Sequence, residues 1–312
     1  MSSNEPPIMN TIPTDGVGTA CAPGMDHDWY AYSRIDRRPA PAGLPGLSFC
    51  PIVDLTAVEW ERPSVPAPVR PPGGRGLDAY PDIPRMSHHE YGHRVGIFRL
   101  LDVLEAAGMP FAVVVDALTA SHYPRLVEHV IPRASEVIAG GLSGTRAITS
   151  LMTAEEEADY VGMTLEILTS TLGQRPAGWV SPVLSNSFRT PQVLAEAGVD
   201  YTADWSNDEQ PYPFTGAADG LWSFPMSWEL SDVNNIIEKG RPDAAYADAL
   251  VEAADVLRAH GSESPRVLGV HLHPWVSGHM FMADLIERSL TAIAGMPGVV
   301  VTTPSPVLAA FR

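Results

Sequence analysis

Apolar runs that read as strands and amphipathic stretches that read as helices take turns at least six times along this chain. That alternation favours a parallel α/β sheet, closed or nearly closed as a barrel. Strand candidates are Leu47 to Val53, Phe111 to Val115, Glu136 to Ala139, a strand starting at Trp179 and Val180, Tyr201 to Ala203, Leu221 to Phe224, the run ending at His271, and Val299 to Thr302. Between them, Val95, Phe98, Leu101 and Leu104 recur at helical spacing until Gly108 and Pro110 stop the helix. Further helices are expected over Tyr123 to Val130, Ala244 to His260 and Met282 to Ala294. Thr153 with Glu156 has the spacing of a capping box opening a helix that Gly173 closes, and Thr190-Pro191 reads as an N-cap followed by proline. A Pro/Gly-rich excursion from Pro63 to Pro84 is too long for an ordinary connection and is expected to shape a site.

Composition narrows the rest. A chain of 312 residues with 45% hydrophobic and 18% charged content can bury a large core, which suits one domain over residues 25–312 after a flexible lead-in over residues 1–24. The net charge of −17 repels phosphate backbones and anionic lipid, so neither nucleic acid nor a membrane surface is an expected partner. Only Cys21 and Cys50 are present, without a CxxC, which fits a reducing compartment. With no basic-then-apolar leader and no bilayer-length apolar run, a cytoplasmic protein is the expectation. Lys239 is the sole lysine and sits in a polar stretch, and no Gly-x-Ser-x-Gly elbow occurs, so neither Schiff-base nor serine-elbow chemistry is expected.

In a parallel barrel the residues just after each strand converge at one rim. Here these are Asp54 and Glu59, then Gly140 to Arg146, Ser181 to Asn186, Asp204-Trp205, and the run His271-Leu272-His273-Pro274-Trp275 with His279 beyond it. Carboxylates, imidazoles and indoles gathered there point to acid–base work on a small molecule. His88-His89-Glu90 and His93 form another histidine-rich stretch. Adjacent loop residues rarely converge on one ion, so His89 or His93 is expected to contact substrate instead. Glu229, after a later strand, is a further candidate acid.

Four stretches in order, Tyr91-Gly92-His93-Arg94-Val95-Gly96, Gly178-Trp179-Val180-Ser181-Pro182, Tyr201-Thr202-Ala203-Asp204-Trp205 and Leu272-His273-Pro274-Trp275, resemble the polysaccharide deacetylase (NodB-like) superfamily, most closely its allantoinase-like branch. The resemblance runs over roughly residues 26–311 and implies a distorted (β/α)7 barrel and a hydrolase of C–N bonds. It also implies roles: Glu59 as base or metal ligand with Asp54 beside it, Arg94 reaching the site from the helix start, Asp204 orienting a base, and His273 as general acid. Arg146, His93, Trp179, Ser181, Trp205, His271, Trp275 and His279 are then expected to contact substrate. Relatives often form tetramers, so a homo-oligomer is expected.

The departures are as informative. Such proteins usually bind a divalent metal through His-Gly and a second histidine after the third strand, but here Gly140 and Arg146 stand at or near those places. Glycine offers no ligand and a protonated guanidinium repels a dication, so no metal is expected at that position and no cofactor is implied. Leu184 stands where relatives often carry arginine. The expected activity is therefore metal-independent acid–base hydrolysis of a small cyclic amide, imide or ureide, with Glu59 or Asp54 as base, His273 as acid and Arg94 or Arg146 holding an anionic group. Two alternatives stay open: an isomerase, cyclase or lyase using the same pocket, and a catalytically inactive ligand-binding protein.

Overall fold

A strand buried on both faces must lie inside a sheet covered on both sides, and Leu47–Asp54 is buried at every position except its last. In the computed structural model, which describes residues 27–38, 41, 43–61, 72–74, 81–262 and 264–312, this strand is the pivot of the sheet. The strands in chain order are β1 (Leu47–Asp54), β2 (Ala112–Val115), β3 (Glu136–Ala139), β4 (Gly178–Trp179), β5 (Tyr201–Thr202), β6 (Tyr212–Pro213), β7 (Trp222–Ser223), β8 (Arg266–Leu272) and β9 (Val299–Val301). One edge of β1 pairs with β8 along its length. The other is shared, β9 taking Leu47 to Phe49 and β2 taking Ile52 to Asp54. From β2 the sheet continues in parallel through β3, β4, β5 and β7, and β6 lies antiparallel against β7. A bridge from Met226 to Gly269 of β8 brings the two ends of the parallel run together. The expected distorted barrel is the architecture observed.

The helices form for the expected reasons. Ile97–Ala106 buries Ile97, Leu100, Leu101 and Leu104 on one face, whereas Phe98, expected on that face with Leu101 and Leu104, is exposed and Val95 lies in the segment before the helix. Ala154–Leu172 opens on the capping box, Glu156 N–H donating to Thr153 Oγ1 at 3.2 Å and Thr153 N–H to Glu156 Oε2 at 2.7 Å, and ends where Gly173 turns left-handed at φ +70°. Asp243–His260 and Met280–Ala294 complete the later layer.

Several local readings change. His88 and His89 lie on a helix, Ile83–Tyr91, not on a loop, and a wide-turn segment, Gly92–Gly96, joins it to Ile97–Ala106. Thr190 is a helical residue, not the N-cap. Its hydroxyl donates to the buried Glu157 at 2.6 Å, a bond absent from any local capping pattern. Short helices at Pro274–Ser277 and Pro304–Phe311, and a second wide-turn segment at Val233–Glu238, were not signalled by apolar period. The proposed lead-in over residues 1–24, and most of the Pro63 to Pro84 excursion, lie outside the described residues. Among the described residues, no helix is long and apolar enough to cross a membrane.

Candidate active site

The register of β1 and β8 sets Ile52 against His271 and Val53 against Leu272, so both strands end together and deliver their last side chains to one rim. Asp54 ends β1. Its Oδ1 accepts the Thr56 amide at 2.8 Å and the Thr56 hydroxyl at 2.6 Å, a local turn that fixes the carboxylate. Its Oδ2 lies 2.9 Å from His271 Nε2 and 3.8 Å from His273 Nε2. Burial works against the charge on Asp54, but the two imidazoles and Thr56 outweigh it and hold the carboxyl well below the usual carboxylate range.

His273 follows directly after β8 and leads into Pro274–Ser277. Its Nδ1 meets Asp232 Oδ1 at 2.6 Å and its backbone N–H donates to Asp232 Oδ2 at 2.7 Å. Asp232 is fully buried and also accepts the Ser277 hydroxyl at 2.6 Å and the Val233 amide at 2.7 Å. A carboxylate with these partners makes Nδ1 the protonated nitrogen and turns Nε2 toward Asp54. Burial disfavours the imidazolium, yet Asp232, with Asp54 adding to it, raises the His273 pKa above 6.5. His271 moves the other way: burial and the neighbouring His273 lower it, against the pull of Asp54. The result is a chain of contacts, Asp232 to His273 to Asp54 to His271.

These residues floor a cavity of about 100 Å³ at the barrel mouth. Asp54, Thr56, His271 and His273 are polar floor, Ser181 and Ser231 stand at its sides, and Val58, Val180, Pro182, Val183, Leu184, Val233 and the indoles of Trp228 and Trp275 form the wall. His89, also at the edge, is tied to Pro72 O at 3.0 Å and kept neutral, chiefly by burial, with its pKa pushed down to about 4.

Glu59 occupies a different environment. Arg146 grips it with two bonds, Nη2 to Oε1 at 2.7 Å and Nε to Oε2 at 2.9 Å, while Ser143 and Thr145 hydroxyls donate to Oε2 at 2.7 and 2.8 Å. Burial opposes the charge, but these donors lower the Glu59 pKa. Neither Glu59 nor Arg146 lines the cavity. Glu59, expected as base, and Arg146, expected as substrate anchor, are instead bonded to each other in this structure.

The metal position implied by the resemblance fails a direct test. A Cβ on Gly140 would lie 2.8 Å from Thr56 Cγ2 and 2.9 Å from Val114 Cγ1, and Arg146 is committed to Glu59. A side chain at Gly140 would require the Thr56 and Val114 side chains to give way. Elsewhere, one ligand atom each from Asp54, His271 and His273 lie within 4.8 Å of one another, a spacing compatible with one cation.

The remaining candidates divide. Ser181 and Trp275 line the cavity as expected. Asp204 is fully tied behind the wall, accepting the Ser181 amide at 2.7 Å and the Asn186 side-chain amide at 2.9 Å, and burial raises its pKa; it positions the Ser181 segment and does not touch Asp54. Trp179 is buried in the core and donates to Ser181 Oγ at 2.8 Å, and Trp205 packs among Trp29, Tyr30 and Phe214, so both support the wall from outside it. Arg94 is exposed on Gly92–Gly96 and does not line the cavity. His93 is buried against Tyr123 with Nε2 3.2 Å from Leu55 O, and His279 stacks on Tyr91 with Nε2 3.2 Å from His88 Nε2; neither lines the cavity. Among the described residues His88, His89 and His93 do not form a metal cluster. Glu229 is exposed and paired with Lys239 at 2.6 Å, outside the site. Sequence reasoning missed Asp232. Its position directly ahead of a helical segment, where a short acid caps an amide, was the available signal.

A parallel sheet curled into a distorted (β/α)7 barrel, with an acid–imidazole rim at its strand ends, defines the class of fold. No protein-family model matches the sequence, and no curated protein matches it. Solved structures do share the architecture. The crystal structure of PuuE allantoinase matches with a TM-score of 0.74 at 20% identity, covering 88% of this chain and 94% of that one. A probable polysaccharide deacetylase from Pseudomonas aeruginosa PAO1 matches with a TM-score of 0.76 at 21% identity, again over 88% and 94%. The chain thus shares the fold of these two solved structures.

Proposed function

We propose that the protein is a metal-independent hydrolase of a C–N bond in a small cyclic amide, imide or ureide. The observation that carries this reading is the contact chain Asp232–His273–Asp54–His271, of which His273, Asp54 and His271 line the floor of the cavity. Its two central groups have proton affinities pushed apart, Asp54 downward and His273 upward, the division that separates base from acid in paired sites. In the proposed reaction Asp54 orients a water and accepts its proton as the oxygen attacks the carbonyl carbon. The C–N bond then breaks as His273 Nε2 gives its proton to the leaving nitrogen. Asp232, bonded to Nδ1, keeps the imidazole in the productive tautomer. His271 holds Asp54 in place through the same Oδ2 that faces His273. The solved structures of similar fold, described as an allantoinase and a deacetylase, support hydrolysis as the reaction class.

The test is turnover of hydantoin and succinimide in heavy-oxygen water, with His273→Ala and Asp54→Asn alongside. Label in the ring-opened product, lost in both variants, is the expected outcome. Product without label would favour the isomerase or lyase alternative, and binding without product the inactive one.

A second reading rests on one specific observation, the convergence of Asp54, His271 and His273 atoms within 4.8 Å. Asp232 behind His273 is the kind of outer partner that orients a metal-bound imidazole, and these three residues could hold a divalent cation. Elemental analysis with chelation separates the readings: the metal-free site keeps its turnover after chelator treatment.

A further inference from the structure

A second pair of imidazoles meets outside the cavity. His88, from the helix Ile83–Tyr91, and His279, which opens the helix Met280–Ala294, bring their Nε2 atoms to 3.2 Å across 191 residues of chain. Both side chains are half-buried, and their rings are held in place. His279 stacks on Tyr91 with centroids 4.2 Å apart and on Phe281 at 5.4 Å, and His88 meets the Trp275 indole edge-on at 5.0 Å. Each ring also hydrogen-bonds the Trp275 backbone, the kind of outer contact that orients a metal-bound imidazole.

Two nitrogens on a tetrahedral zinc, each at about 2.0–2.1 Å from it, stand about 3.3–3.4 Å apart. The pair is therefore spaced as two ligands of one ion; the competing occupant is a single proton shared between neutral rings. Burial and the neighbouring ring hold His88 below its ordinary value of 6.5, and burial and Arg99 do the same for His279, so both rings offer lone pairs at neutral pH. Arg99 opposes a dication here, but its guanidinium is already bonded to Tyr91 Oη and Gly278 O, and Asp243 acts on His279 with the opposite sign. Among the described residues no third His, Cys, Asp or Glu converges on the pair, which leaves the remaining positions to water and makes the ion exchangeable.

We propose that His88 and His279 form an exchangeable site for a borderline divalent cation such as zinc, separate from the Asp54, His271 and His273 group, and that the bound ion staples the helix Ile83–Tyr91 to the segment carrying Trp275 of the cavity wall. The site is independent of the reaction proposed for the cavity. It is tested by zinc titration of the full chain against a chromophoric chelator, with magnesium as control and with His88→Gln, His279→Gln and His271→Ala in parallel. A zinc equivalent is expected to bind wild type and to survive in His271→Ala. Each glutamine variant should weaken it at least about tenfold, since loss of an outer partner alone costs roughly 10–100-fold. Magnesium, which prefers oxygen ligands, should not compete. Zinc should also raise the melting midpoint of wild type and leave that of His88→Gln unchanged, because an ion bound only by the folded chain stabilises it. No zinc binding, the result a shared proton gives, would overturn the proposal. So would equal binding in both glutamine variants, or zinc lost in His271→Ala and kept in His88→Gln.

Discussion

Two acid clusters stand at the same rim, and they behave differently. At the β1–β8 side, Asp54 faces two imidazoles and the cavity, with His273 Nε2 3.8 Å from it. At the β1–β3 side, Glu59 is bound by Arg146, Ser143 and Thr145. Both clusters contain an acid with a lowered pKa. The difference lies in the partners: Asp54 faces imidazoles that can give and take a proton, and Glu59 faces a guanidinium that keeps its own. Where the fold's relatives are expected to hold a metal, this chain has a permanent internal cation bonded to its own counter-ion.

The comparison breaks most readily on the imidazole side. His273→Ala is expected to lower turnover about 10²–10⁴-fold, the range for loss of a general acid. Asp232→Asn should approach the same loss with little change in KM, because it alters the tautomer and not the cavity wall. The alkaline limb of the pH–rate profile sharpens the same point. His273 works as a donor while protonated, so activity should fall as pH rises through its pKa, with a midpoint above 6.5 that moves toward acid in Asp232→Asn. An alkaline limb that ignores Asp232 would remove His273 from the acid role.

On the other side the expected effects are on stability. Gly140→His supplies the imidazole that the usual metal position calls for, but its Cβ collides with Thr56 and Val114. It should cost about 1–3 kcal/mol in denaturant melts, the range for overpacking, and gain no tight metal. Glu59→Gln is expected to cost about 1 kcal/mol, discounted because the Arg146 side chain is 39% exposed, while turnover changes only a few-fold. Because the folded pKa of Glu59 is lowered, its contribution is present above the unfolded value of 4.5 and is lost as pH falls through the folded value. The stability gap between wild type and Glu59→Gln should accordingly close in acid. Full loss of turnover in Glu59→Gln with an unchanged melt would invert the assignment of the two clusters.

Much of this was legible in residue order, and the reasons for the rest are physical. Period-two and apolar runs marked β1 and β8, which carry long uninterrupted ladders, and the short β4, β5 and β7 within about a residue. The histidines at the end of β8 announced the rim. Asp232 was not visible as a partner of His273, because 41 residues and a wide-turn helical segment separate them and only the folded barrel closes the gap. Glu59 and Arg146 were each recognisable as site-like, but spacing along the chain cannot show that two such groups will neutralise each other. Arg94 matched a motif, and the wide turn on which it sits has no sequence period of its own.

The central claim is that His273, protonated on Nδ1 by virtue of Asp232, keeps Nε2 free for proton transfer to and from the cavity. The nitrogen-15 histidine spectrum of the purified protein reads this directly. The account predicts an Nδ1-protonated imidazole for His273 that gains its second proton with a midpoint above 6.5, unchanged after chelator treatment. A His273 Nε2 resonance shifted by a bound metal in the protein as purified, and restored to a titrating imidazole only by chelation, would contradict it.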